Sequence, residues 1–296
     1  MRVVASLTTM PDRYSKVVRT LKSLHNQSYK LDAIYLSLPQ KSRRLDIPYP
    51  DPTSEMSELC TIVPCIDYGP LTKILGGLIV ESDPNTVIIT FDDDMMYPFN
   101  LVETLVNHHM KYPHSAIGSS GMLVRYSCPM CAITPNENNF SYRISKFYIA
   151  PEGRRVDSIY GYAGALYVRK FFPIKEELEE KFASYALIDT NMLMNDDIVI
   201  SGYLSLQNIE RRIFPNMPIV NYVLDDGIRV RATNEISYDL DKFFQRMNLS
   251  IDKAKSIGMF ATTEPLDMSE TILGVSAIIL ICIAILIALF VYIIRS

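Results

Sequence analysis

The chain has 296 residues, 48% of them hydrophobic, with 29 basic against 33 acidic side chains and a formal charge of −4. This length supports one large α/β domain with a well-buried core, and the slightly acidic balance excludes the basic footprint of a nucleic-acid-binding protein. Five cysteines leave the redox compartment open.

Arg2 to Leu7 reads as a short apolar strand, since the opening MRVVASLTTM is too short an apolar run for a signal peptide. It ends in Thr8-Thr9-Met10-Pro11-Asp12-Arg13, a turn whose proline stops strand pairing. Tyr14, Val17, Val18, Leu21 and Leu24 recur at helical spacing and predict an amphipathic helix to about Gln27. Ala33–Leu38 is a second strand, and the Pro-, Lys- and Arg-rich stretch 39–52 an exposed loop. Thr61–Ile66 is a third strand, followed by Asp67-Tyr-Gly-Pro-Leu-Thr-Lys73 and a helix of about ten residues. Thr86–Phe91 is continuously apolar, as a strand covered on both faces requires, and runs directly into Asp92-Asp93-Asp94. Pro98 and Asn100 open a helix with Glu103 three residues after the cap.

Further on, Ile117–Val124 and Ala165–Val168 are predicted strands, with Gly161-Tyr-Ala-Gly-Ala165 a small-residue turn before the second. Asn195-Asp196-Asp197 precedes a helix, and a further amphipathic helix is expected near Leu240–Met247. Four alternations of strand and helix predict a doubly wound, mostly parallel sheet. Ligands of such sheets bind at the carboxyl ends of the strands, which is where Thr8, Asp67 and the three aspartates fall.

Three adjacent aspartates at a buried strand end repel one another by a few kcal/mol per close pair at an effective dielectric of about 20, and a divalent cation removes that cost. Alternation along the strand end lets Asp92 and Asp94 face one Mg²⁺ or Mn²⁺ ion while Asp93 turns aside. A solvated acidic turn would carry the same residues. Asp196 and Asp197 at a helix start suit capping and the macrodipole; equally, one of them suits a general base that deprotonates a hydroxyl. Lys73 and Arg13 are the basic complement, able to meet a diphosphate, although each could equally be an ordinary surface cation. His108 and His109 are expected on a solvated helix face. Tyr68, Tyr160 and Tyr162 serve packing more readily than stacking on a ligand. Cys128-Pro-Met-Cys131 has zinc-knuckle spacing that Cys60 and Cys65 would complete, although ordinary thiols are the simpler reading. Asn26, Asn139 and Asn248 stand in glycosylation acceptor patterns, which matter only in a lumenal domain.

Thr271–Ile294 contains no charged residue, and at about 1.5 Å per residue it spans a bilayer core of about 30 Å. The expected organisation is a catalytic domain over 1–250, a juxtamembrane linker over 251–270 and a transmembrane helix over 271–294. This is a tail anchor with the domain in the cytosol, although Asp267, Glu270 and Arg295 lean mildly toward the opposite orientation.

Six segments in order resemble the GT-A-fold glycosyltransferases, closest to a poorly characterised group found in bacteria and large DNA viruses. They are Ser6–Arg13, Asn26–Tyr29, Asp67–Lys73, Phe91–Pro98, Gly161–Tyr167 and Asn195–Gly202. The resemblance covers about residues 1–220. It implies a nucleotide-sugar donor over the first strand ends, contacted by Thr8, Arg13, Asp67, Lys73 and Asp93. It also implies Mn²⁺ or Mg²⁺ at Asp92 and Asp94, and Asp197, with Asp196 as runner-up, as the base of an inverting transfer to a glycan, lipid-linked or protein acceptor. Many such enzymes use a later histidine as third metal ligand, and here no histidine follows His114. Asp225, Asp226 or Asn234 substitutes, or donor phosphates complete the shell. A metal-dependent nucleotide phosphotransferase and a non-catalytic membrane-anchored scaffold are the rival readings.

Overall fold

The computed structural model describes residues 1–125, 140–144, 153–214, 217–218, 220–222, 224–225, 228–229 and 240–263. Strands β1 (Val3–Thr8), β2 (Ala33–Pro39), β3 (Thr61–Cys65) and β4 (Val87–Thr90) lie parallel in the order β3-β2-β1-β4. Helices α1 (Tyr14–His25), α2 (Ser54–Leu59) and α3 (Thr72–Val80) connect them. The period of two in β1 divides the core. Val3, Ala5 and Leu7 pack with Val17, Leu21 and Leu24 of α1 on one face, while Val4 joins Ile74 and Leu78 of α3 on the other. Helix α2 was not anticipated by the loop predicted before it. Its cap is Thr53, whose side chain accepts the Met56 N–H at 3.2 Å.

Beyond β4 come β5 (Met95–Met96), α4 (Leu101–Lys111), β6 (Ser115–Gly118), β7 (Gly121–Arg125) and β8 (Phe140–Ile144). Then follow β9 (Arg154–Arg155), β10 (Ser158–Ile159), β11 (Ala165–Val168), α5 (Leu178–Lys181), α6 (Thr190–Leu193), α7 (Asp196–Leu206), β12 (Glu210–Ile213) and α8 (Leu240–Ser256). The eight-stranded sheet has the order β3-β2-β1-β4-β11-β6-β12-β9. Strand β11 runs antiparallel to both β4 and β6, whereas β12 is parallel to β6. The result is a mixed α/β fold around a mostly parallel central sheet with helices on its faces.

Several expectations are corrected. The stretch read as one strand over Ile117–Val124 is two: the break at Ser119–Ser120 sends β7 into a separate three-stranded sheet with β8 and β10. Asn100 makes no side-chain cap on α4, and Glu103 instead accepts from Ser28 Oγ at 2.7 Å. The first turn of α4 is served by Gln27, whose Oε1 accepts the Val102 N–H at 3.1 Å while its Nε2 donates to Ser23 O and Pro98 O, both at 3.0 Å. His109 is buried, because α4 turns it inward beside Val106, and His108 stacks on Phe214 with ring centroids 3.7 Å apart. Helix α8 continues well beyond Met247. The boundary drawn at residue 250 falls inside it, and Ile251, Ala254, Met259 and Phe260 are buried in the core shared with α7.

The Thr271–Ile294 stretch, Cys128, Cys131, Asn139, Asp226 and Asn234 lie outside the described residues, and Asp225 is described in its backbone alone. Among the described residues no helix is long and apolar enough to cross a membrane. Cys60 and Cys65 are free, and burial pushes both thiols up to about 12. Tyr68 is buried and serves packing.

Candidate functional site

The position of the site follows from how closely α3 approaches the sheet. Ser6, in the middle of β1, donates through Oγ to Lys73 O at 2.6 Å and accepts the Gly77 N–H at 3.0 Å. A Cβ on Gly76 would stand 2.6 Å from Ser37 Oγ, and one on Gly77 2.9 Å from Ile88 Cγ2. The Gly-Gly pair therefore lets the helix backbone lie directly on the strands, and it fixes the first turn of α3 over the carboxyl ends of β1 and β4. Lys73, expected in the preceding loop, is the second residue of this helix and is buried.

From there the Lys73 ammonium bridges two segments far apart in sequence. It pairs with Asp92 Oδ1, after β4, and with Asp196 Oδ2, the first residue of α7, at 2.9 Å. Burial works against its charge, but Asp196, Asp92 and Asp197 raise Lys73 well above the ordinary lysine value and keep it a cation. Arg13 is the second cation. Its Nη1 lies 2.8 Å from Asp93 Oδ1 and 3.3 Å from Asp94 Oδ2. Burial opposes this guanidinium too, and Asp93 and Asp94 hold it above its ordinary value.

The three aspartates form a tight turn rather than a simple strand end, and the predicted alternation is not seen: Asp93 and Asp94 share Arg13, and Asp92 stands apart on Lys73. Asp92 turns toward Lys73. Asp93 accepts from Thr9 Oγ1 at 2.7 Å as well as from Arg13. Asp94 shares Arg13 with it, and burial together with repulsion from Asp93 and Asp92 pushes the Asp94 carboxyl up to about 6. The turn is clamped from behind. Tyr97 OH accepts the Asp92 N–H at 2.8 Å and donates to Tyr162 O at 3.1 Å, while Thr20 Oγ1 lies 2.9 Å from both Asp93 O and Met95 O.

The opposite wall is the start of α7. Asp197 Oδ1 accepts the Gly161 N–H at 2.9 Å, and a Cβ on Gly161 would stand 3.1 Å from that oxygen and 3.9 Å from Lys73 Nζ. The glycine thus allows the 161–163 turn to lie against the carboxylate. Burial and then the neighbouring Asp196 raise Asp197 well above the ordinary carboxylate range.

The structure brings Arg13, Lys73, Asp92, Asp93, Asp94, Asp196 and Asp197 into one cluster. Thr8 and Asp67 are placed differently. Thr8 Oγ1 donates to Ser37 O at 2.8 Å, which laces β1 to β2. Asp67 accepts the N–H groups of Arg43 at 2.6 Å and Gly69 at 2.7 Å, shaping the loops at the same edge. Thr9, Thr20, Tyr97 and Gly161 are parts of the site that the sequence reading did not assign. Thr9 was the nearest to hand, being the first residue beyond the strand; its neighbour Thr8 was taken instead.

Five carboxylates surround two cations here, so full ionisation leaves three negative charges uncompensated. Oxygen-only donors at Asp92 and Asp94 with an unbalanced negative charge fit Mg²⁺ or Mn²⁺. Among the described residues there is no group of three or more His, Cys, Asp or Glu side chains arranged to enclose a metal. In comparison with known proteins, no family model matches this chain and no curated protein matches it significantly.

Proposed function

We propose that this is a metal-dependent group-transfer enzyme acting on a nucleoside diphosphate ester at the carboxyl edge of the sheet. More specifically, we read it as a glycosyltransferase of GT-A type, moving a sugar from a nucleotide-diphosphate donor to an acceptor hydroxyl with inversion. The observation that carries this reading is the convergence of two acidic segments, Asp92–Asp94 and Asp196–Asp197, on one buried lysine.

In this scheme Asp92 and Asp94 would hold Mg²⁺ or Mn²⁺, which would supply positive charge to offset that of the departing diphosphate. Arg13 and Lys73 flank that anion and add charge-assisted contacts. Asp93 is tied to Thr9 and Arg13 and fixes the turn, with donor contact secondary. Asp197 takes the proton of the acceptor hydroxyl as its oxygen bonds to the anomeric carbon and the bond to the diphosphate breaks. Burial and Asp196 raise this carboxyl above the ordinary carboxylate range, so it holds an abstracted proton more strongly than a free aspartate would. The Gly161 N–H orients it, and Asp196 is retained by Lys73.

Asp197→Asn tests the assignment. Donor affinity, measured by calorimetry, stays within a few-fold, while transfer falls by about 10²–10⁴; a variant that transfers at the parent rate refutes the base role.

A further inference from the structure

Between β2 and α2, residues 40–49 form a loop ordered by its own backbone. Ser42 N–H donates to Ile47 O and Asp46 N–H to Ser42 O, both at 2.8 Å, and Tyr49 N–H donates to Gln40 O at 3.1 Å. Leu45 N–H donates to Ser42 Oγ at 3.3 Å, and Lys41 and Pro48 bridge the two limbs. Asp46 sits at φ 56°, in the left-handed region that aspartate tolerates better than most residues. The loop is also bolted to the site. Arg43 holds Asp67 through its N–H and through Nε to Asp67 O at 2.9 Å, and Tyr49 OH donates to Thr9 O at 2.9 Å.

With Ser42 buried at its centre, this ordered loop turns its aliphatic side chains outward. Leu45 is 38% and Ile47 45% exposed, and Ile66, just before Asp67, is 51% exposed. Single exposed aliphatics are ordinary. A hydrogen-bonded loop that fixes two of them in solvent, beside a third on the adjoining strand end, is a constructed apolar edge. Lys41, Arg43 and Arg44 lie within the same ten residues; Lys41 pairs with the exposed Asp46 and Arg43 is tied to Asp67, which leaves Arg44 as the cation outside these pairs.

We propose that this edge is an interfacial contact: Leu45, Ile47 and Ile66 enter the headgroup boundary of an anionic membrane, with Arg44 facing the lipid phosphates and the Lys41–Asp46 pair in the polar headgroup layer. Apolar side chains flanked by cations are the pattern that such a boundary recognises, and the site's mouth then opens at the membrane surface. The chain beyond the described residues supports this occupant. Helix α8 lies along α7, with Asn195 Nδ2 donating to Ser250 Oγ at 2.6 Å near the site and Phe260 N–H to Ser205 Oγ at 2.8 Å at the far end. The 11 residues of α7 put these ends about 16 Å apart. Residues 264–270, before the uncharged Thr271–Ile294 stretch, reach at most about 25 Å. An uncharged stretch of that length, joined to α8 by so short a link, keeps a membrane within reach of the domain. The inference concerns contact alone and does not depend on the transferase reading.

The chain contains no tryptophan, so a single introduced tryptophan reports its own surroundings. Full-length protein carrying Leu45→Trp or Ile47→Trp is reconstituted in vesicles of phosphatidylcholine and phosphatidylserine, with and without brominated acyl chains. Met110→Trp, on α4 at a side chain 62% exposed, serves as the reference. The expected result is blue-shifted emission from the loop positions, quenched by brominated lipid, with solvent-like and unquenched emission from position 110. Arg44→Glu in the Leu45→Trp background reduces the quenching. Solvent-like, unquenched emission at both loop positions overturns the proposal. So does a blue shift that ignores bromination and fades as protein is diluted in lipid, which assigns the edge to a second copy of the chain. Nucleotide release by the same vesicles reports on the transferase reading separately.

Discussion

Lys73→Met is the perturbation that bears most directly on the architecture of the site, because the ammonium is the only described contact joining the Asp92 turn to the start of α7 through an ion pair. Methionine keeps the length and apolar stem while removing the charge. Deleting one partner of a buried ion pair costs about 3–5 kcal/mol. Asp92 keeps 28% of its side chain exposed, so solvent screens part of the loss and the lower end, about 3 kcal/mol, is the expected value. For a domain of this size that corresponds to a fall in Tm of roughly 6–12 °C. The assay is thermal unfolding of parent and variant at pH 7.5 and pH 5, with and without Mn²⁺. Acidification narrows the gap, because protonating the carboxylates relieves the repulsion that Lys73 offsets. Mn²⁺ narrows it as well, and adding Asp92→Asn recovers part of the loss. A variant within about 2 °C of the parent at neutral pH, or a gap that widens on acidification, refutes the reasoning.

Asp94→Asn removes a carboxyl whose folded-state value, about 6, lies above the ordinary aspartate value. Its contribution to stability is fully present below the unfolded value and is lost as pH rises through about 6. The metal-free variant should therefore be more stable than the parent at pH 7.5, by at most about 3 kcal/mol, and should lose the stabilisation by Mn²⁺ that the parent shows; melting curves read both effects. Gly161→Ala brings a Cβ within 3.1 Å of Asp197 Oδ1 and should lower kcat at least about tenfold by displacing the base, with little change in Tm; an unchanged kcat counts against the orienting role. Gly76→Ala puts a Cβ 2.6 Å from Ser37 Oγ and 3.2 Å from Tyr35 Cβ and should cost about 1–3 kcal/mol in urea unfolding.

The parts of this molecule visible in the sequence are those set by local pattern. The apolar run ending at Phe91 fixes β4 and places Asp92–Asp94 at its exit. The helical spacing from Tyr14 to Leu24 fixes α1, and the acidic pair at 196–197 marks the start of α7. Arg13 and Lys73 could be singled out as cations near the acidic strand ends, but the sequence did not distinguish them from surface residues; their burial against Asp93, Asp94, Asp92 and Asp196 is a tertiary fact. What escaped depends on tertiary contact. Strand β11 carries no mark in Ala-Leu-Tyr-Val of running antiparallel between β4 and β6. Ser6 looks like any small residue in a strand until α3 lies on it. Thr9 and Thr8 are indistinguishable by residue type, and only the turn after β1 decides which meets Asp93. His109 is turned inward by the packing of α4. Gln27 caps a helix 75 residues away in sequence, a relation that no short-range pattern encodes.

The central claim is a metal-dependent sugar transfer at Asp92–Asp94. Its most direct test is nucleotide diphosphate release by the purified protein across a panel of nucleotide sugars, with and without Mn²⁺, beside the Asp94→Asn variant. The account predicts release from one donor that requires the metal and disappears in the variant. Release from none of the donors by folded protein that also binds none of them, or equal release by Asp94→Asn, would contradict it.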